Sequence, residues 1–329
     1  MERYLERVKA GVYGTFVADA VGVPAEFKSR TELKQHPVTD MVGYGTYNQP
    51  RGTWSDDSSM MLCLLYSLTE MGKLRYHDIM DRFLAWYDKG EYTPWGVCFD
   101  CGMAVSDALS RYRRGGEPVL CGGTHIRSNG NGSLMRILPM AFYAYARFGE
   151  DPAASGRAME EIHKVSALTH RHPISLSACG IYVNIATRLL AGMELQEAMQ
   201  EGITAALKWY DSHEKFSSVG QTWHRIVDVQ QLQTLPEEEI RSSGYVVDTL
   251  EAALWCLLNT DNYRDCVLKA VNLGEDTDTV AAVAGGLAGL AYGFEGIPAD
   301  WRQGLAAREE IDEVCEDMAC YMASYRLGK

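Results

Sequence analysis

What the 329 residues lack narrows the field first. There is no excess of positive charge. The net charge of −13 argues against a nucleic-acid backbone or an anionic membrane surface as the main partner. A small phosphorylated ligand stays open, because cations and backbone N–H groups can hold phosphate without a basic surface. There is no long apolar run either: the longest weakly polar stretch, residues 280–292, is read as too short and too rich in Gly and Ala to span a bilayer. The opening residues show no basic segment followed by an apolar one and a small-residue cleavage site, so no secretory leader is expected. Cysteine forms no framework: nine residues, an odd number and scattered, predict free thiols in a reducing cytoplasm. Cys98 and Cys101 have no second pair at zinc spacing and read as two thiols one helical turn apart. Period-2 alternation is scarce, which excludes repeated βαβ units, and no internal repeat is visible.

What is present is helical periodicity. Met60, Met61, Leu64, Leu65 and Leu68 share one face, as do Ile79, Phe83 and Trp86. Further helices are predicted over 174–190, 195–209, 246–258 and 314–325. Irregular stretches rich in Gly, Pro and polar residues fall at 22–55, 115–132, 211–220 and 231–244. None has the make-up of an interdomain linker. With 47% hydrophobic and 23% charged residues, the expectation is one all-α domain over residues 1–329 with a substantial core.

Two acidic clusters stand at predicted helix starts. The first is Gly52-Thr53-Trp54-Ser55-Asp56-Asp57-Ser58-Ser59; the second is Gly274-Glu275-Asp276-Thr277-Asp278-Thr279. Capping accounts for either one alone, since Ser, Thr and Asp satisfy free N–H groups and the helix dipole favours carboxylates. As a pair they also offer a second reading. Each supplies two carboxylates and an adjacent hydroxyl, an all-oxygen set suited to hard cations. If they converge, about −4 of charge meets in one pocket, and two divalent ions roughly 3.5–4 Å apart would neutralise it. A haloacid-dehalogenase nucleophile is a poor match for Asp276-Thr277-Asp278-Thr279-Val280, which lies late in the chain and opens a helix. The EF-hand loop pattern is absent.

Two loops carry weaker signals. Asn129-Gly130-Asn131-Gly132-Ser133 precedes a helix expected to start near Leu134, with Met135 and Arg136 flanking. On its own it reads as a turn and cap. Its glycines would also let backbone approach an anion at a helix N-terminus. It is no Walker A loop, lacking the Lys-Ser/Thr ending. Thr169-His170-Arg171-His172-Pro173 reads as a loop–helix junction.

In order along the chain, these segments resemble a known family. Gly14-Thr15-Phe16-Val17-Ala18-Asp19-Ala20-Val21-Gly22-Val23-Pro24-Ala25-Glu26-Phe27 is similar to its opening "G-x-x-x-G-D-A-L-G-x-P-x-E-F" stretch, with departures at Ala18 and Val21. The "W-[ST]-D-D-[ST]", "N-G-x-x-M-R-x-x-P" and "G-x-D-[TC]-D-T" boxes follow. The family is the ADP-ribosylglycohydrolases, including bacterial dinitrogenase reductase-activating glycohydrolases, and the resemblance runs from about residue 10 to 293. It implies an orthogonal helical bundle with a dinuclear Mg²⁺ or Mn²⁺ site in a surface cleft. The implied ligands are Ser55, Asp56, Asp57, Asp276, Asp278 and Thr279; serine at 55 and 58, where relatives often have threonine, keeps the oxygen. The implied reaction is cleavage at C1″ of ADP-ribose on an acceptor, arginine on protein first. Glu26 would be the acid/base, with Asp57 and Asp100 at the reacting centre. Asn129, Gly130, Gly132, Ser133, Met135 and His170 would contact substrate. Asp19 is expected to be a structural hydrogen-bond acceptor. The small-residue stretch 281–293 should pack closely on another helix and bring the two clusters together. Partners would be ADP-ribosylated protein or an ADP-ribosyl small molecule, with no membrane and no nucleic-acid scaffold. Another ADP-ribose linkage, a non-catalytic binding relative and a different two-metal phosphohydrolase are the alternatives.

Overall fold

The computed structural model describes residues 1–326, and every regular element among them is helical. In chain order the α-helices are α1 (Glu2–Gly22), α2 (Arg30–Gln35), α3 (Asp56–Met71), α4 (Tyr76–Lys89), α5 (Met103–Arg113), α6 (Pro139–Phe148), α7 (Gly156–Ala167) and α8 (Pro173–Ala191). Then come α9 (Leu195–Asp211), α10 (Val219–Thr222), α11 (Val229–Thr234), α12 (Val246–Leu258), α13 (Tyr263–Asn272), α14 (Thr277–Tyr292), α15 (Ala299–Gly304) and α16 (Arg308–Arg326). The periodic segments are helices as predicted, and α12 has the predicted bounds. Helix α16 begins six residues earlier than the periodicity suggests, because its charged first turn, Arg308-Glu309-Glu310, carries no apolar signal. Short helices also occupy the stretches read as irregular; α2 starts on a capping box in which Ser29 and Glu32 satisfy each other's backbone N–H.

Helices α1 and α14 form the centre of the molecule, and small residues let them touch backbone to backbone. A β-carbon on Gly14 would overlap the carbonyl oxygen of Gly285, and one on Gly22 would overlap the backbone of Asp278. Thr277 Oγ1 donates to Gly22 O at 2.8 Å, fixing the start of α14 against the end of α1. This is the close packing expected of residues 281–293. A Gly285→Ala variant must push α1 and α14 apart, and overpacking of this kind costs about 1–3 kcal/mol. Urea unfolding of that variant checks the value; a wild-type midpoint would contradict the packing.

The longest apolar stretch lies in α8 and not over residues 280–292. Helix α8 is long and apolar enough by composition to cross a membrane, yet 94% of its apolar window is buried inside the protein. Around it stand α9, α7, α6 and α12, so its all-round hydrophobicity is that of a core helix.

Candidate active site

The two acidic clusters converge at the ends of this central pair. Ser55 caps α3, its hydroxyl accepting from Asp57 N at 3.4 Å, and Asp276 stands at the N-cap of α14. Thr279 Oγ1 then donates to Asp57 Oδ2 across the junction at 3.2 Å, and Ser55 Oγ donates to the same oxygen at 3.2 Å. Capping and convergence are therefore both true. Asp19, fully buried on α1, accepts from Ser55 N at 3.0 Å, Ser58 N at 3.1 Å and Ser58 Oγ at 2.5 Å. Burial raises its pKa to about 6 while those bonds to Ser58 and Ser55 pull it down. It ties the first cluster to α1, the structural role expected of it.

Two further carboxylates join from loops. One oxygen each of Glu26, Asp100 and Asp278 lie within 4.8 Å of one another. Glu26 follows the 3₁₀ turn Val23–Ala25, and its neighbour Phe27 has a left-handed backbone at φ +65°. Glu275, beside Asp276, is left-handed too, at φ +63°. The two strained residues hold each other: Phe27 N donates to Glu275 O at 2.7 Å, and Glu275 N donates to Lys28 O at 2.8 Å. Such conformations cost about 1–3 kcal/mol each and persist where surrounding structure enforces them. Here they aim Glu26 and Asp276 into one space. Arg30 secures the same junction, donating to Leu273 O at 2.8 Å and Glu237 O at 2.6 Å.

Asp100 lies in a segment without regular structure three residues before α5, and Cys98 and Cys101 share that segment, so they are not one helical turn apart. All nine cysteines are free, as predicted.

The glycine loop departs from expectation more sharply. No helix starts at Leu134: residues 132–136 form turns, and α6 begins only at Pro139, whose ring fixes the start. The chain therefore curls inward. Ser133 is fully buried and its hydroxyl bonds Ser166 and Cys179; Met135 belongs to the core. Asn129, also buried, accepts from Ser175 Oγ at 2.9 Å. Gly130 and Gly132 lie against the ring of His170, which is 1% exposed. The loop still reaches the acidic centre through Asn131, whose Nδ2 donates to Asp276 Oδ2 at 2.9 Å.

Sequence reading missed Asn131 as a separate contact, although it sits inside a quoted motif. It missed Tyr47 altogether. The Tyr47 hydroxyl lies in hydrogen-bond reach of both Glu26 and Asp100, and its ring contacts Phe27 and Phe99 at 6.3 and 5.1 Å. No motif marks it, only its place in a Gly- and Pro-rich stretch.

Electrostatically the site is unbalanced. Among the described residues, none of Asp19, Glu26, Asp56, Asp57, Asp100, Asp276 and Asp278 forms an ion pair. Burial pushes Asp56, Asp57 and Asp278 well above the usual carboxylate range, and neighbouring carboxylates push them further. Glu26 is raised to about 8, by burial first and then by Asp100. Three buried oxygens, Glu26 Oε2, Asp57 Oδ1 and Asp278 Oδ2, have no hydrogen-bond partner. Unpartnered carboxylate oxygens facing one another are a donor set for hard cations, so the residues fit a divalent metal centre.

A stability prediction follows for the metal-free protein. These groups hold protons in the folded state at pH values where the unfolded chain has lost them. Their contribution is complete below about pH 4 and is lost as pH rises through the folded values, about 6 for Asp19 and about 8 for Glu26. Thermal melts in chelator should therefore show Tm falling between pH 5 and pH 8.5, with Mg²⁺ or Mn²⁺ restoring it most at the alkaline end. A chelated Tm that rises over this window would contradict the picture.

The chain is similar to known proteins over nearly its whole length. Residues 1–327 match the ADP-ribosylglycohydrolase family. A protein of Serratia proteamaculans named ADP-ribosylarginine hydrolase Tri1 is 33% identical over 97% of this chain and 80% of its own length. The ADP-ribosyl-[dinitrogen reductase] glycohydrolase of Rhodospirillum rubrum is 28% identical over 93% and 92%. A solved structure described as an ADP-ribosylglycohydrolase-related protein complex superposes with a TM-score of 0.78, at 28% identity, covering 98% of this chain and all of that one. With its four motif boxes in order and its acidic clusters brought together by α1 and α14, the chain belongs to the ADP-ribosylglycohydrolase family.

Proposed function

We propose that the protein hydrolyses the C1″ glycosidic bond of ADP-ribosylated arginine on protein, releasing ADP-ribose, and does so with two divalent cations. The observation that carries this reading is the set of three buried, unpartnered carboxylate oxygens from Glu26, Asp57 and Asp278 at one junction. The relatives named for ADP-ribosylarginine hydrolysis, at 33% identity, support arginine as acceptor.

Ser55, Asp56, Asp57, Asp276, Asp278 and Thr279 would hold the ions, with Asp100 and Glu26 at the edge of the same space. Bound there, Mg²⁺ or Mn²⁺ supplies charge neutralisation, orientation of the ribose hydroxyls and acidification of water. The chain's own groups do the rest. Glycoside cleavage builds positive charge at C1″, and a carboxylate-lined pocket stabilises that charge. Glu26 would be the residue that holds a proton for transfer; burial and the neighbouring Asp100 both favour its protonated form. Tyr47 and Asp100 flank Glu26, the hydroxyl favouring its charged form and the carboxylate its protonated one. The Gly130–Gly132 loop, which packs against His170 and is linked to Asp276 through Asn131, would take the anionic part of the substrate. A guanidinium acceptor also suits a site ringed by carboxylates.

The test is incubation of purified protein with an ADP-ribosylated arginine peptide and Mg²⁺ or Mn²⁺, with released ADP-ribose measured by mass spectrometry. Release that stops with chelator supports the proposal. Intact substrate with either ion overturns it, and turnover only of serine- or nucleic-acid-linked ADP-ribose moves it to another linkage.

A further inference from the structure

Arg136 is the one fully buried arginine the site does not explain. Its side chain is 0% exposed and, among the described residues, no carboxylate pairs with it. Its Nη2 donates to Thr169 Oγ1 at 2.8 Å and to Val165 O at 3.3 Å, and its guanidinium lies 4.8 Å from the Phe83 ring centroid. Nε and Nη1 have no partner. A cation in such surroundings is costly to keep, so its one strong polar contact, Thr169, is where its role should be sought.

Thr169 in turn bonds His170, Oγ1 to Nδ1 at 2.9 Å. We propose that Arg136 is a positioning residue: acting through Thr169, it holds His170 in the tautomer protonated at Nε2, making that nitrogen a fixed donor toward the Gly130–Gly132 loop. This rests on the reading above, in which that loop takes an oxygen-rich part of the substrate.

The logic is one of proton counting. Guanidinium only donates, so it occupies a lone pair of the Thr169 hydroxyl and can never take the hydroxyl proton. That proton then points to Nδ1, which must be the bare nitrogen, and Nε2 carries the ring proton. In the opposite tautomer both neighbours would donate to the hydroxyl, leaving its own proton no bonded acceptor. A serine or glutamine in place of Arg136 could donate or accept and would leave the tautomer open. The ring is also held in place. Ser166 O accepts from His170 N at 2.8 Å, and Ser166 Oγ donates to His170 O at 3.1 Å. A β-carbon at Gly132 would come within 3.0 Å of Cε1, while β-carbons at Gly130 or Gly132 would lie 3.5 Å from Nε2, so Nε2 is the nitrogen turned to the loop. Burial, with help from Arg136, holds the His170 pKa down to about 3, and the ring stays neutral while it donates.

Long-range ¹H–¹⁵N spectra of the ligand-free protein read the tautomer directly, with His170 assigned from a His170→Gln variant. The wild type should show Nε2–H alone; Thr169→Val and Arg136→Met should show a mixture or the Nδ1–H form. If Arg136→Met does not fold, Thr169→Val carries the test. Calorimetry with ADP-ribose and Mg²⁺ supplies the functional half. Thr169→Val should weaken binding about tenfold, the scale of one hydrogen bond. In His170→Gln, whose amide donates from the same place without a tautomer, adding Thr169→Val should change binding less than twofold. Nδ1–H in the wild type, or an equal loss in both backgrounds, overturns the relay. A wild type that binds no ADP-ribose overturns the proposed function instead, and the spectra still decide the relay.

Discussion

Asp278→Asn is expected to abolish turnover and, at the same time, to stabilise the metal-free protein at alkaline pH. Asp278 is 1% exposed, with one oxygen bonded to Thr279 N at 2.9 Å and the other unpartnered, facing Glu26, Asp57 and Asp276. An amide of the same shape removes one negative charge from that crowd and turns a donor –NH₂ group into it. Loss of one ligand of the cation centre removes several kcal/mol of transition-state stabilisation, about a 10³-fold fall in kcat or more. The two effects have opposite signs, which separates this role from a helix cap. Were Asp278 only a dipole-favouring residue in the first turn of α14, its amide would cost a few tenths to about 1 kcal/mol and leave activity nearly untouched. Chelated melts at pH 8.5 together with the peptide assay decide between the two.

Glu26→Gln should give the second large effect. The variant keeps the shape of a side chain that is 6% exposed and keeps a partner for Tyr47, but cannot carry a transferable proton. General acid–base catalysis is worth roughly 10²–10⁴-fold, so kcat should fall by that range while KM for the ADP-ribosyl peptide moves little. Burst-free progress curves under saturating Mg²⁺ would measure it. A fall confined to KM would assign Glu26 to substrate binding alone.

These effects depend on placements that were unequally visible in the sequence. The two acidic helix starts were legible because caps and dipoles are local: Ser55 and Asp276 stand within a turn of the periodic segments they begin. The contact between α1 and α14 was legible in outline, since a run of glycines and alanines at helical spacing admits a close neighbour. What brings Glu26 to Asp100 was not. Both sit on loops whose paths are set by tertiary hydrogen bonds, such as Phe27 N to Glu275 O, and by strained φ values that no propensity predicts. The glycine loop misled for a related reason. A Gly-rich turn before an apolar run looks like a helix start, but Pro139 delays α6 and the intervening turns carry Ser133, Met135 and Arg136 into the core. Tyr47 was invisible because one aromatic in an irregular stretch has no period to betray its side.

The central claim is that carboxylates from α3, α14 and the Glu26 loop form one two-cation centre. Anomalous diffraction from Mn²⁺-loaded crystals tests it most directly. The account predicts two manganese peaks roughly 3.5–4 Å apart, bounded by Asp56, Asp57, Asp276 and Asp278. Full manganese loading with no peak among these carboxylates would contradict it.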